Sequence, residues 1–245
     1  MTFVLAGIVF IAFGVQATAG FGSVLLSLAL GTLFWPITEL LPIVVPLSLM
    51  LSLYIGVRHW KHVDIRLLVR SVLPLMGIGV LVGLLLAPHA SPRVLRLLLG
   101  VIVSAAALRG LYSLSTGKVV VAKRGGIAAY LWVVFSGIIH GLIAAGGPAL
   151  VYAIEAMGLG KNAFRSSLAA VWIILNGVLV ARYVMTGALD GPQLGRLGMM
   201  VPVVLASTLV GEFLHSRVSE NVFRAVVFLL LAAAGVLLCV PLLLG

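Results

Sequence analysis

Two stretches decide how this chain is read: Gln16-Ala-Thr-Ala-Gly-Phe-Gly-Ser23 near its start and His140-Gly-Leu-Ile-Ala-Ala-Gly-Gly-Pro148 in its second half. Each sets glycines inside a long apolar run, Thr2 to Trp35 and Ile127–Ile154. Both runs are roughly 30 residues, about 45 Å as continuous helix, whereas a bilayer core needs only about 20 residues. The runs are therefore read as broken, near Thr18–Gly22 and near Gly146. Broken helices at matched places of two halves are the best sequence pointer to a binding site inside a membrane.

The rest of the chain is apolar in the same way. Hydrophobic residues make up 62% and charged residues 9%, against roughly 25% charge in a soluble domain, and the mean hydropathy is +1.28. Between the two broken regions and after them come Leu40–Val57, Leu67–Ala87, Val94–Leu114, Leu168–Met185, Gly195–Leu214 and Val222–Leu244. The composition predicts an all-α polytopic membrane protein of about eight apolar regions, one permease domain over residues 1–245. The net charge of +10 does not call for nucleic acid, because the Lys and Arg residues lie in loops, where the positive-inside rule already puts them. Cys239, the single cysteine, has no internal partner for a disulfide and reads as a small apolar residue. Ala17-Thr-Ala19 resembles a signal-peptide cleavage site, but no basic segment precedes it, so the first region is expected to stay part of the fold.

The two halves repeat, over about 1–115 and 126–245. A shift of 128 residues superposes Pro74 on Pro202, Leu81-Val82-Gly83 on Leu209-Val210-Gly211, Ser91 on Ser219, and Val94 and Arg96 on Val222 and Arg224. A shift near 126 brings Ala19-Gly20 onto Ala145-Gly146. The matched prolines are expected to kink their helices. If each long region crosses once, the halves are parallel and Lys and Arg divide ten against six between the two sides. If each folds back at its glycines, the halves are inverted and the tally is twelve against four, the four being Arg93, Arg96, Arg182 and Arg196. Positive-inside statistics favour the inverted arrangement, with arms too short to be full spans and so dependent on surrounding protein.

Past each break a half-helix starts with about four unpaired N–H groups at the positive end of the helix dipole, an anion site that needs no buried cation. Pro148 fits the first turn of such a helix, and Ser23 adds a hydroxyl at the same place in the first half. The candidate substrate-binding set is Gln16, Thr18, Gly20, Phe21, Gly22 and Ser23, with His140, Gly146, Gly147, Pro148, Ala149, Tyr152 and Asn176. Small residues also serve simply to let membrane helices approach, and His140, Tyr152 and Asn176 each have a competing reading as an interhelical hydrogen-bonding or packing residue. The run Arg58, His59, Lys61, His62 and Asp64 reads as a solvated face, less readily as an anion vestibule. No Asp or Glu falls near the middle of any apolar region: Glu39, Glu155, Glu212 and Glu220 lie near ends, Asp64 and Asp190 in loops. That argues against a cation substrate, since cation pumps usually keep a mid-membrane carboxylate. Ser136, one turn from His140, raises the rival reading of an intramembrane hydrolase, but no orienting acid accompanies the pair. The sequence assigns no catalytic residue, metal or cofactor. A non-transporting assembly subunit and a permease of another small-molecule class stay open beside the anion permease. The expected partners are a small anion and the lipid bilayer, not nucleic acid, and a homo-oligomer is compatible with the sequence.

The same motifs resemble a known family. Gln16–Ser23 resembles the first-half motif of the TauE/SafE sulfite exporters, Gly141–Tyr152 resembles their second-half motif, and Lys161-Asn-Ala-Phe-Arg-Ser-Ser-Leu168 is similar to their Phe-Arg-small-small-Leu element. Two departures stand out: Ala149 takes the place of a second proline after the glycines, and Leu28-Ala-Leu30 stands where many members have Pro-Leu-Leu. The resemblance implies a multi-pass permease of the bacterial inner membrane that moves a small sulfur-containing oxyanion, sulfite or an organosulfonate, by alternating access.

Overall fold

The computed structural model describes residues 2–117, 127–155, 159 and 161–217, with 225, 228, 229, 231–236 and 238 beyond them. The described residues form helices joined by short turns. In chain order these are α1 (Thr2–Ala19), α2 (Ser23–Gly31), α3 (Ile37–His59), α4 (Ile65–Leu67), α5 (Leu73–Leu86), α6 (Pro92–Thr116), α7 (Ile127–Ile143), α8 (Gly147–Glu155), α9 (Lys161–Met185) and α10 (Gly191–Arg217). Among the described residues, six helical stretches are long and apolar enough to cross a membrane, and α7 is a shorter apolar helix. The expected regions correspond to these elements one by one up to α10. Most of the expected last span, Val222–Leu244, lies outside the described residues, as do Cys239, Ser219 and Arg224.

Both long regions are broken where the glycines stand, and both fold back. Tyr152 on α8 packs edge-on against Trp132 of α7, ring centroids 5.0 Å apart, and also meets Ala129. That contact is open only to a helix that returns along its predecessor. In the first half, Trp35 and Leu40, which follow α2, line one cavity together with Thr2 and Leu5 at the start of α1. The return arms α2 and α8 are nine residues each, about 13 Å of helix, too short to cross and enclosed by protein as such arms must be.

Around these hairpins the long helices pair through glycine. Helices α5 and α7 cross with Gly79 and Gly83 against Gly137 and Gly141. A Cβ at any of the four would collide with backbone of the facing helix, so a four-residue spacing of glycine on both sides is what permits the approach. Helices α1 and α10 also meet closely: a Cβ on Gly211 would strike the Gly14 carbonyl oxygen at 2.7 Å, whereas one on Gly14 would make an ordinary contact with the Ser207 carbonyl at 3.7 Å. Helices α3 and α9 pair with each other. One buried cluster centres on α1, α2, α3 and α6. A second joins α5, α7, α8 and α9 through Met76, Val80, Val133, Leu150, Ile154, Val171 and Trp172. Large apolar side chains such as Leu85, Leu108, Leu131 and Leu209 point outward, the pattern of helices solvated by lipid.

The prolines act differently from one another. Pro202 is inside α10 and Pro42 and Pro46 inside α3. Pro74 lies inside the continuous helical stretch Ile65–His89, at the start of α5 and just past a π-helical turn at Leu68–Val72, so the expected distortion takes the form of a local widening. The wider turn takes up the ring's clash with the preceding carbonyls. Side-chain contacts sort the helix ends into two groups. Arg196 bonds Glu39 at 3.3 Å and Arg96 bonds the Thr32 carbonyl at one end. Arg58 pairs with Glu212 at 3.5 Å, and the Asp64 N–H donates to Ser167 at 3.1 Å, at the other.

Candidate functional site

The two turns that reverse the chain bring the two halves' breaks together. In the first, Gly20 and Gly22 adopt φ of +84° and +106°, conformations L side chains avoid, so glycine is required at both. Gly22 is the N-cap of α2 and provides no side-chain cap. The Ser23 hydroxyl, expected to face a ligand, donates instead to Gln16 Oε1. In the second break the left-handed residue is Ala144, φ +54°, and not one of the glycines. Gly146 is needed for a different reason: a Cβ there would run into the Ser136 carbonyl. The Ser136 hydroxyl donates to the Gly146 carbonyl at 2.7 Å, which ties the turn to α7 and commits the would-be nucleophile to structure. Gly147 differs again, since its added Cβ would meet only Phe21 Cδ2 at 3.5 Å and Trp172 Cζ2 at 3.9 Å.

These residues line a half-open cavity of about 20 Å³, room for roughly one water. Gln16, Phe21, Gly22, Ser23, Val24 and Leu25 line it from the first hairpin, and His140, Ala144, Ala145, Gly147 and Pro148 from the second. Ser48 of α3 and Trp172 and Asn176 of α9 complete the wall. The first intrahelical N–H bonds are made by Leu26 to Gly22 and by Leu150 to Gly146. The N–H groups of Ser23, Val24, Leu25 and Gly147 precede them and lack helical partners, and all four residues line the cavity. Pro148 has no N–H to leave bare.

The side chains around the cavity fall into two kinds. Gln16 is fully held: its Oε1 accepts from Ser23 and from Ser48 at 3.1 Å, and its Nε2 donates to Ser52 at 3.0 Å. It sets the wall's geometry. Asn176 donates to Ser48 at 3.3 Å, which links α9 to the same network. By contrast the indole N–H of Trp172 is buried without a hydrogen-bond partner, and the ring nitrogens of His140 and Oδ1 of Asn176 are buried outside hydrogen-bond geometry, though these two side chains lie close enough to interact with each other. The His140 and Trp172 rings stack at 5.3 Å and 25°, with Asn176 beside His140. Buried polar groups are nearly always paired. Three such residues around one small cavity make it the candidate site.

Of the residues singled out in the sequence, Gln16, Phe21, Gly22, Ser23, His140, Gly147, Pro148 and Asn176 meet here. The rest do not line the cavity. Thr18 donates to the Gly14 carbonyl at 2.5 Å. Gly20 backs onto Arg165, Gly146 onto Ser136, and Ala149 is buried in the first core cluster. Tyr152 lies along α7, with the Arg109 guanidinium 5.0 Å from its ring centroid. Ser48, Ser52 and Trp172 join the site without a sequence motif to mark them. A signal for Ser48 does exist: the 128-residue shift that defines the repeat places it on Asn176, the residue it bonds.

A helical membrane protein whose two re-entrant hairpins meet at a small cavity with unpaired hydrogen-bonding groups is built as a transporter. The chain belongs to the sulfite exporter TauE/SafE family, whose model matches residues 5–238. Members are transporters and not enzymes. Among curated proteins it is similar to the probable sulfite/organosulfonate exporter TauE of Cupriavidus necator, at 28% identity over 185 residues, 74% of this chain and 70% of that protein. No solved structure matches.

Proposed function

We propose that the chain is a permease that moves a small sulfur oxyanion, sulfite or an organosulfonate, outward across a bacterial inner membrane by alternating access, with the cavity between the two hairpins as its site. The observation that carries this reading is the set of donors at that cavity: the His140 ring, the Trp172 indole N–H, and the bare N-termini of α2 and α8. Each helix N-terminus contributes roughly half a positive charge, so two of them suit one negative charge without any cation in the wall. The donors act among largely apolar walls, and hydrogen bonds to a charged group are worth about 1.5–3 kcal/mol each. Phe21, Val24, Leu25 and the alanines of the second turn supply an apolar wall for the remainder of the substrate. The relative's name and the family support the sulfur oxyanion over other small anions.

The cavity holds about one water, so a loaded state needs its walls to part. Reciprocal packing supports two inverted halves as the moving bodies: α1 meets α10 through Gly14 and Gly211, and α7 meets α5 through Gly141 and Gly83, where Gly83 and Gly211 stand 128 residues apart and Gly14 and Gly141 stand 127, next to the repeat's shifts of 128 and near 126. Rocking of such halves about a fixed site is the general behaviour of these architectures. Both hairpins fold back, the arrangement for which the cation tally is twelve to four, and this supports the Arg58 end as the cytoplasmic one. A membrane negative inside then drives a monoanion outward at about 2.3 kcal/mol per 100 mV.

The test is flux in reconstituted liposomes under a potassium-set potential, with sulfite, sulfate, sulfoacetate, taurine and acetate as the panel. Saturable, potential-dependent flux of sulfite or sulfoacetate is expected. Folded protein that moves none of the five refutes the reading.

A further inference from the structure

The close contacts behind Gly20 come from a cation, Arg165. A Cβ on Gly20 would meet Arg165 Cγ at 2.9 Å, its Cα at 3.2 Å and its carbonyl oxygen at 3.3 Å. The next residues along the turn, Phe21 and Gly22, line the cavity. The turn is thus a wall one residue thick, with the cavity on one face and Arg165 on the other. Arg165 Nε and Nη2 are buried and have no hydrogen-bond partner. The nearby carboxylate that acts on it, Glu212, is already held by Arg58 at 3.5 Å and by the Tyr54 hydroxyl at 3.3 Å. Arg165 as a whole is only partly buried, but two of its nitrogens are shut from water with nothing to donate to, an arrangement that costs stability.

We infer that Arg165 is an additional anion-binding residue, the one that receives the substrate on the Arg58 side when the Ala19–Gly22 turn moves aside. This rests on the proposed transport of a sulfur oxyanion through the hairpin cavity. A planar guanidinium with two free donor positions matches two oxygens of a sulfite or sulfonate group. The Ala19–Gly22 turn keeps it apart from the cavity in this structure, so it acts on entry and not on an anion already seated between the hairpins. It is also one-sided. In the 128-residue register Arg165 falls on Ile37, a buried apolar residue, so the first half supplies no cation at the equivalent place, and at the opposite end Arg196 and Arg96 are already held by Glu39 and the Thr32 carbonyl.

The experiment compares Arg165→Met and Arg165→Lys with the unaltered chain in everted and right-side-out membrane vesicles, with sulfite as the probe. Methionine keeps an apolar stem against Gly20, and lysine keeps the charge but not the fork. Thermal melting and size-exclusion profiles identify the variants that fold, and either one suffices. With the Arg58 face outward, Arg165→Met is expected to raise half-saturation by about 10-fold or more, the loss of one charged hydrogen-bonding partner, and Arg165→Lys by less. With the other face outward, half-saturation is expected to stay within about 2-fold, far below the 10-fold that 1.4 kcal/mol represents. Unchanged half-saturation on the Arg58 face, or an equal rise on both faces, overturns the inference while the cavity reading stands. Absence of sulfite flux in the unaltered chain overturns the cavity reading, and this inference with it.

Discussion

Gly146 and Gly147 are neighbours in sequence, yet the structure predicts opposite fates for their alanine variants. At Gly147 the new methyl would point at Phe21 Cδ2, 3.5 Å away, and Trp172 Cζ2, 3.9 Å away, both ordinary van der Waals separations. The residue has no positive φ and opens a helix, where alanine is favoured over glycine by up to about 1 kcal/mol. Gly147→Ala is therefore expected to fold with its melting temperature unchanged or slightly raised. Its methyl nevertheless enters a cavity of about 20 Å³ and takes much of the room that one water has. Overfilling a close-packed site costs roughly 1–3 kcal/mol, which is about 5- to 150-fold in substrate affinity. At Gly146 the methyl would meet the Ser136 carbonyl oxygen, a backbone atom that cannot swing away. There the same cost of roughly 1–3 kcal/mol falls on stability, and the bond from the Ser136 hydroxyl to the Gly146 carbonyl is strained with it. The assay is sulfite flux in liposomes beside thermal melting of the detergent-solubilised protein. A Gly147→Ala variant that transports with unaltered half-saturation would refute the cavity as the site. A Gly146→Ala variant as stable as the unaltered chain would refute the packing argument.

Three further outcomes follow from the same geometry. His140→Phe keeps a ring stacked on Trp172 and takes away the imidazole beside Asn176, so it should melt close to the unaltered chain, yet lose about 10-fold or more in sulfite affinity; flux at unaltered affinity would show that the imidazole does not touch the substrate. Gln16→Leu leaves the hydroxyls of Ser23, Ser48 and Ser52 without their common partner and should cost about 1–3 kcal/mol of stability per group left unpaired, read as a lower melting temperature before any effect on binding is considered. Gly79→Val should prevent α5 from closing on α7, since its side chain meets the Val134 carbonyl; loss of monodisperse protein is expected, and a well-folded variant would contradict the glycine-mediated crossing.

How much of this is legible in the sequence depends on which atoms are responsible. The helices are readable because lipid as solvent demands long apolar runs, and the positions of the breaks because glycine at Gly20 and Gly22 answers a backbone requirement. Folding back at the breaks is one of two readings the sequence leaves open. Length alone does not choose between them, but Trp132 against Tyr152 does. At the second break the glycines mislead in detail: the left-handed residue is Ala144, which no glycine marks, while Gly146 answers to the Ser136 carbonyl across the hairpin, a contact invisible in one dimension. Ser23 reads as a ligand donor from its place beside Gly22. The structure turns its hydroxyl to Gln16, because a buried amide oxygen competes for it. Trp172 gives no signal in the sequence, because a tryptophan in an apolar helix looks like any other packing residue until its N–H is found to lack a partner.

The site's most unusual property follows from the same point. Its wall contains no Lys, Arg, Asp or Glu among the residues that line it, although the chain carries a net charge of +10. A fixed lysine or arginine in the wall would hold an anion strongly and give it up slowly, and would be costly to keep charged whenever the site stood empty. Neutral donors and helix N-termini are cheaper to leave unoccupied, and their pull on an anion falls off within the first turn. That suits a carrier, which must bind on one side and release on the other. The cations are instead held at the helix ends, where Arg165 is brought up behind the Gly20 turn without entering the site. A sulfur oxyanion crossing this protein would thus meet strong charge at the mouth and weak, directional donors inside. Moving a cation into the wall, as in Asn176→Lys, is expected to slow release more than it improves binding, and single-turnover efflux that ran as fast as in the unaltered chain would show that the neutrality of the wall is incidental.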